Sequence, residues 1–116
     1  MFKKDDIRVN MSWIRVIAKK TAKDPLMVDA FTRYINRLTK TAAYAPGFIN
    51  SNSYWKNGGS TTTIVSISDW TSHDNWEKWL KSNERKKIVN QNEAYIQEEK
   101  FDILCKRKKC NDIFLL

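Results

Sequence analysis

Apolar and polar residues alternate along four short segments of the chain, and this alternation is typical of strands with one buried face. The predicted strands cover residues 12–20, 48–56, 61–70 and 99–107. Asn57-Gly58-Gly59-Ser60 separates the second strand from the third and is typical of a hairpin turn. The period of two along each strand assigns alternate side chains to opposite faces of a sheet.

Apolar residues recur at helical spacing between the first two strands. Asp24 suits the N-cap and Pro25 the first turn, and Ala45-Pro46-Gly47 ends the helix near Tyr44. The predicted apolar stripe of this helix consists of Met27, Phe31, Tyr34, Leu38 and Ala42. We therefore expect one amphipathic helix that packs its stripe on the sheet.

A second helical region follows the third strand. Thr71 and Asp74 fit a capping box, and Ser72 is an alternative cap. Ser82-Asn83 is expected to interrupt the helix and to cap a further one that ends near Ala94. The region is therefore predicted to consist of two short helices in succession.

The predicted elements follow the order β-α-β-β-α-β. This is the order of an α+β, ferredoxin-like plait, in which an antiparallel four-stranded sheet carries both helical regions on one face. We assign residues 1–11 to a loose N-terminal arm, residues 12–108 to the domain and residues 109–116 to a C-terminal tail.

The opposite face of this sheet needs a cover. The residues that we assign to it are Ile14, Val16, Val65 and Ile67. A second copy of the chain covers such a face by symmetry, so we expect a homodimer.

The formal net charge of +8, from 21 Lys and Arg against 13 Asp and Glu, favours anionic partners. The strand order is also that of the common RNA-recognition fold. The third strand lacks the aromatic motif with which that fold stacks bases, so specific nucleic-acid binding is not expected. No apolar run is long enough to cross a bilayer and no apolar stretch of a secretory signal is present, so we expect a cytoplasmic protein without a membrane partner.

The two cysteines, Cys105 and Cys110, enclose the basic run CKRKKC. Neither has a second cysteine or a histidine at the spacing of a zinc site. We therefore expect two reduced thiols and no metal site.

The run GFINSNSYWKNG, a strand that ends in Trp70 and the following TSHDNWEKWLKS resemble the antibiotic biosynthesis monooxygenase family. The resemblance covers about residues 12–108 and implies a small dimeric α+β barrel. Some members of this family oxygenate electron-rich phenols, anthrones or quinols with no metal and no flavin, and others bind and cleave haem. The resemblance therefore implies a monooxygenase that acts on an aromatic or quinol-type substrate with O2 as co-substrate.

Two positions argue against the haem-degrading branch of the family. Its haem-ligating histidine corresponds to Val89 here, and its asparagine on the first strand corresponds to Trp13. Since a valine side chain cannot ligate iron, we do not expect haem. The resemblance to the cofactor-free members implies no other cofactor. A non-catalytic small-molecule-binding or regulatory dimer on the same fold stays open, because such a protein also needs a pocket.

The candidate catalytic residues are Trp70, Tyr54 and Asn52. The resemblance places Trp70 at the pocket, where its indole N–H can donate a hydrogen bond. Tyr54 and Asn52 alternate along the second strand, and their polar groups suit a bound oxygen molecule.

The candidate substrate-binding residues are Arg15, Trp13, Ser68, His73 and Trp79. Arg15 shares a strand face with Trp13 and suits a substrate anion, and His73 suits a base if the helix start covers the pocket mouth. Three structural alternatives stay open. Arg15 can pair with a surface carboxylate, His73 can be an exposed turn residue, and Trp79 can join Trp76 in a hydrophobic seam.

Overall fold

A computed structural model of the chain describes residues 13–56 and 61–105. The predicted N-terminal arm, hairpin turn and C-terminal tail, together with Cys110, lie outside these residues. The strands are β1 (Ile14–Ala22), β2 (Phe48–Lys56), β3 (Thr63–Trp70) and β4 (Ile96–Cys105). The helices are α1 (Val28–Ala42), α2 (His73–Leu80) and α3 (Asn83–Asn92). Short 3-10 turns, Pro25–Met27 and Glu93–Tyr95, precede α1 and β4.

Side-chain caps set the starts of the helical segments. The carboxylate of Asp24 accepts from the backbone N–H of Leu26 at 3.0 Å, so it caps the 3-10 turn, and α1 begins after that turn. The hydroxyl of Ser72, the alternative cap, accepts from the N–H of Asn75 at 3.1 Å at the start of α2. Ser82 caps α3 in the same way, which confirms the predicted interruption.

The four strands form one antiparallel sheet in the order β2-β3-β1-β4. This order and the β-α-β-β-α-β succession confirm the predicted ferredoxin-like α+β fold. The three helices lie on one face of the sheet, where they form the core.

The assignment of Ile14 and Val16 to the uncovered face is wrong. Ile14 lies opposite Trp70 across the β1–β3 pair, and the two residues are 0% and 1% exposed beneath the helices. Because side chains alternate along a strand, Val16 also lies on this helix-covered face. The uncovered face instead carries Arg15, Ile17, Val65 and Ile67.

The core consists of two clusters between the helices and the sheet. One contains Phe31, Tyr34, Ile35 and Leu38 of α1 with Ile88 of α3. The other contains Ile14, Val16, Trp70, Trp76 and Ala42. Met27 of the predicted stripe lies before α1 and is exposed, because the helix begins only at Val28.

Gly47 connects the end of α1 to β2 in a left-handed conformation, with φ at 84°. Its carbonyl accepts from the N–H of Thr71 at 2.8 Å, which ties the start of β2 to the turn before α2. A Cβ at this position would lie 2.5 Å from the side-chain nitrogen of Asn75, so glycine is required by both space and conformation.

Cys105 at the end of β4 is disulfide-bonded, so the expectation of a reduced thiol is wrong at this position.

The helices of the described residues are too short and too polar to span a membrane.

Candidate functional site

A cavity of about 60 Å³ lies between the helices and the covered face of the sheet, and we call it the helix–sheet cavity. Its lining combines aromatic side chains, serine hydroxyls and two cations. The lining includes Trp70, Trp76, Trp79, Phe101, Ser51, Ser66, Ser68, Lys20 and Arg85. The arrangement is typical of small-molecule sites, in which apolar walls carry a few polar groups.

Trp70 and Ser68 lie at one end of the cavity, on the covered face of β3. The indole N–H of Trp70 donates to the Ser68 hydroxyl at 2.9 Å, and the indole ring packs edge-on against Phe48 with ring centroids 5.3 Å apart. Ser51 lies opposite Ser68 across the β2–β3 pair. The wall at this end is therefore aromatic, with hydroxyl groups beside it.

The other end of the cavity carries a charge cluster of two buried cations and the partly exposed Glu99. Arg85 contacts both carboxylate oxygens of Glu99 at 3.0 and 3.1 Å, and the ammonium group of Lys20 lies 3.5 Å from the same carboxylate. Lys20 is 6% exposed and Arg85 is 9% exposed. Burial lowers the pKa of Lys20, and the positive charge of Arg85 lowers it further, while Glu99 opposes both effects.

Tyr34 of α1 lies in the core within the electrostatic influence of this cluster. It is 2% exposed, and its hydroxyl has no hydrogen-bond partner among the described residues. Burial raises the pKa of Tyr34, and the negative charge of Glu99 raises it further. The hydroxyl therefore stays protonated well into the alkaline range.

Tyr54 and Asn52 lie on the uncovered face of the sheet, so the structure does not bring them to the cavity with Trp70. They pair with Val65 and Ile67 across the β2–β3 ladder, and Tyr54 is exposed. The register of β2 shifts between Phe48 and Asn50. This irregularity exchanges the two faces, so residues that would otherwise share the face of Phe48 point away from the helices.

Arg15 and Trp13 also lie away from the cavity, on the side of the uncovered face. Arg15 binds Asp69 through two nitrogens at 2.8 and 3.1 Å, and its guanidinium lies 5.7 Å from the ring centroid of Trp13. The hydrogen bond and charge of Asp69 raise the pKa of Arg15. The structure therefore shows the carboxylate pairing that the sequence left open for this arginine.

His73 begins α2 and packs edge-on against Trp76, with ring centroids 5.6 Å apart. It is not among the residues that line the helix–sheet cavity. His73, Asp74 and Glu77 bring one ligand atom each to within 4.8 Å of one another on the surface of α2. These groups are of the kind that can hold a divalent cation, whereas no metal site was expected from the sequence.

Trp79 lies between the helix–sheet cavity and a second depression of about 390 Å³ on the helical side of the molecule. We call this depression the outer groove; its lining includes Lys40, Tyr44, Pro46, Lys78, Ser82 and Glu84. The indole of Trp79 contributes to both linings, so it forms a wall between the two spaces.

The sequence matches the family model for antibiotic biosynthesis monooxygenase over residues 14–91. The chain belongs to this family. Val89, at the position that the resemblance assigns to a haem-ligating histidine, packs against the core cluster of α1 and offers no ligating atom. The side chain at this position therefore does not fit the haem-degrading branch of the family.

Solved structures confirm the family fold. A conserved protein from Methanosarcina mazei Go1 is 20% identical, with 85% of this chain and 97% of that one covered at a TM-score of 0.73. SnoaB, a cofactor-independent oxygenase from Streptomyces nogalater, is 16% identical, with 80% and 91% covered at a TM-score of 0.69. PA3566 from Pseudomonas aeruginosa is 21% identical, with 81% and 93% covered at 0.69. Among proteins of curated function, none matches the sequence.

Three cavity residues of this family member were not predicted from the sequence: Lys20, Arg85 and Ser66. A signal was present for Lys20, because alternation along β1 puts it on the same face as Val16 and Ala18. Arg85 lies three residues before Ile88 and therefore on the buried side of α3. Both cations belong to runs of basic residues, and such runs are usually solvent-exposed. These runs therefore give no direct indication that the two side chains are buried.

Proposed function

We propose that the protein is a cofactor-free monooxygenase that oxidises an aromatic or quinol-type substrate with O2. The observation that carries the proposal is the helix–sheet cavity, in which the Trp70–Ser68 pair forms an aromatic and hydrogen-bonding wall. The family match and the structural likeness to a cofactor-independent oxygenase support this chemistry.

The chemistry begins with loss of a proton from the substrate to water, which later returns a proton to the peroxide. The resulting anion transfers one electron to O2, and the substrate radical and superoxide combine into a peroxide at a ring carbon. Protonation of the peroxide and loss of water leave a carbonyl group, so one oxygen atom enters the product and the other leaves in water. The first step, loss of the proton, needs the substrate anion to be stabilised more than the neutral molecule.

The side chains of the cavity provide three contributions to this reaction. Trp70, Trp76 and Phe101 supply apolar surface for a planar ring. The hydroxyls of Ser66 and Ser68 supply donors for a substrate oxygen. Confinement between sheet and helices keeps the radical pair together and limits its exchange with water.

The substrate enters from the outer groove past Trp79 in this proposal. The helix–sheet cavity of about 60 Å³ is small beside ligand sites, which usually occupy roughly 300–1,000 Å³. The outer groove of about 390 Å³ adjoins it, and Trp79 lines both. Rotation of this one side chain would join the two spaces.

The protein works as a homodimer in this proposal. Ile17, Val65 and Ile67 form an apolar strip on the uncovered face, and none of the described elements packs over it. The family resemblance implies a barrel made by two sheets. A second copy facing this strip would bury it and leave the helix–sheet cavity of each copy intact.

Oxygen uptake with hydroquinones and anthrones in the presence of a metal chelator tests the proposed reaction. We expect uptake above the uncatalysed rate that a Trp70→Phe variant loses by at least about tenfold. Trp55→Phe is the matched control, because Trp55 is half exposed and does not line the cavity. Equal rates of oxygen uptake in the parent and the Trp70→Phe variant would show that this tryptophan has no role in the reaction.

A non-catalytic small-molecule-binding dimer is the second candidate, because the same cavity serves binding without reaction. Binding of an aromatic ligand without oxygen uptake across the whole panel would favour this candidate. A ligand-dependent rise in the unfolding temperature measures such binding directly.

A further inference from the structure

The Lys20–Arg85–Glu99 cluster leaves an excess of positive charge inside the protein. Lys20 and Arg85 both line the helix–sheet cavity. The two cations share one carboxylate, that of Glu99, as their ion-pair partner among the described residues. With all three groups ionised, the cluster carries one uncompensated positive charge.

Two buried cations that share one carboxylate are electrostatically unfavourable unless a further anion lies beside them. Desolvation of a buried cation costs several kcal/mol unless a nearby anion offsets it, roughly as for any buried ion. The ammonium of Lys20 lies 3.5 Å from Glu99, which is longer than the 3.0 Å contact between Arg85 and the same carboxylate. Of the two cations, Lys20 therefore has the weaker contact with Glu99 and the greater need for a second anion.

The charge cluster and Trp70 lie toward opposite ends of the same cavity. Lys20 pairs with Ile64 across the β1–β3 ladder, whereas Trp70 pairs with Ile14 at the opposite end of the same ladder. Both side chains lie on the covered face and line one cavity. An extended ligand can therefore hold an aromatic ring near Trp70 and an anionic group near Lys20.

We propose that Lys20 and Arg85 form an anion subsite of the helix–sheet cavity and select aromatic substrates that bear an oxyanion, either a carboxylate or an ionised phenol. This inference rests on the proposed function, which supplies the aromatic ring of the substrate. It adds that the substrate carries a negative charge. The oxyanion neutralises the positive charge that remains after Glu99 has paired with Lys20 and Arg85. A neutral aromatic molecule of the same shape lacks this contribution and binds more weakly.

Equilibrium binding of 2-naphthoate and its neutral analogue 2-naphthamide tests the subsite without any turnover. Calorimetric titration at pH 7 is expected to give at least about tenfold tighter binding of the carboxylate, since a hydrogen bond to a charged group typically contributes this much. Lys20→Met is expected to remove that preference, whereas Lys20→Arg retains it. A phenol that is already ionised at the same pH, 2,4-dinitrophenol, compared with its neutral methyl ether, tests the phenolate source separately from the carboxylate source without a change of pH.

Lys19→Met is the matched control, because Lys19 is the neighbouring residue of β1, is exposed and points to the uncovered face. It changes the net charge by the same amount and is expected to leave both affinities unchanged. Equal affinities of the parent for carboxylate and amide, an equal loss in the Lys19 variant, or no binding of either ligand would overturn the subsite. Lys20-dependent carboxylate binding without oxygen uptake on the quinol panel would uphold the subsite and reject the monooxygenase.

Discussion

The indole nitrogen of Trp70 lies 2.9 Å from the hydroxyl oxygen of Ser68, and the two residues are neighbours on the covered face of β3. Trp70 is 1% exposed, so its N–H needs a protein partner, and Ser68 provides it. The hydrogen bond also fixes the plane of the indole beside the cavity. Ser68 therefore acts through Trp70 as a positioning residue, in addition to offering its own hydroxyl to a ligand.

A double-mutant cycle tests this pairing. Ser68→Ala leaves a buried N–H without its partner and is expected to lower the free energy of unfolding by about 1–3 kcal/mol. Trp70→Phe removes the donor and costs stability through lost packing as well. In the Trp70→Phe background, the Ser68 substitution is expected to cost about 1 kcal/mol less than in the parent. Urea denaturation measures all four proteins, and strictly additive losses would show that the bond contributes no coupling.

Trp79→Ala is expected to open the passage between the outer groove and the helix–sheet cavity. Michaelis constants for three-ring substrates should fall relative to one-ring substrates by about fivefold, or roughly 1 kcal/mol. The loss of packing should also lower the free energy of unfolding by about 2–3 kcal/mol, because Trp79 is only partly buried. Trp55→Ala, at a half-exposed tryptophan outside both spaces, serves as the comparison. An unchanged preference for ring number would place the access route elsewhere.

Tyr34→Phe is expected to change how stability depends on alkaline pH. The folded-state pKa of Tyr34 is raised, so the native protein keeps a proton that the unfolded chain releases above about pH 10. This contribution is fully present below about pH 10 and is lost as the pH rises, by up to about 1.4 kcal/mol per pH unit. The phenylalanine variant lacks this loss.

Denaturant unfolding of both proteins from pH 8 to 11 measures the difference between their slopes. At pH 7 we expect the variant to be within about 1 kcal/mol of the parent, because it removes a hydroxyl that has no hydrogen-bond partner in the described part of the chain. Tyr44→Phe, at a 91% exposed tyrosine, controls for the loss of one hydroxyl. Parallel pH profiles for parent and Tyr34 variant would contradict the raised pKa.

Gly47→Ala is expected to destabilise the protein by about 1–3 kcal/mol, because alanine is strained at positive φ and its Cβ meets crowded space. The nearest atoms belong to Asn75 and Thr71, so the strain should reach the junction of β3 and α2. Thermal unfolding and amide exchange at Thr71 measure the two effects. A variant as stable as the parent would show that the connection relaxes freely.

Ile67→Lys is expected to dissociate the proposed dimer, because it places a charge on the apolar strip of the uncovered face. Sedimentation equilibrium should then give half the mass of the parent at the same concentration. Tyr44→Lys adds the same charge on the helical side, where Tyr44 is 91% exposed, and is expected to leave the mass unchanged. If the parent protein is monomeric across the concentration range, the proposed dimer is wrong.

Local chemistry accounts for most of what could be predicted from the sequence. Caps such as Ser72 and Ser82 act within three residues, so their hydrogen bonds depend on nearby sequence alone. Period-two alternation and the β-α-β-β-α-β order likewise identify the ferredoxin-like fold. Trp70 and Ser68 could be assigned to one face for the same reason, since they are two residues apart on one strand.

The rest depends on relationships between distant segments. One register irregularity at Phe48 and Asn50 turns Tyr54 and Asn52 to the uncovered face, although their own sequence alternates regularly. The charge cluster joins Lys20 of β1, Arg85 of α3 and Glu99 of β4, which only the folded chain brings together. By itself the sequence determined the elements, their order and the tryptophan at the end of β3, because backbone periodicity and capping are local. The tertiary structure decided which polar groups face the cavity and which charges are buried, because strand register and helix docking depend on contacts far apart in the chain.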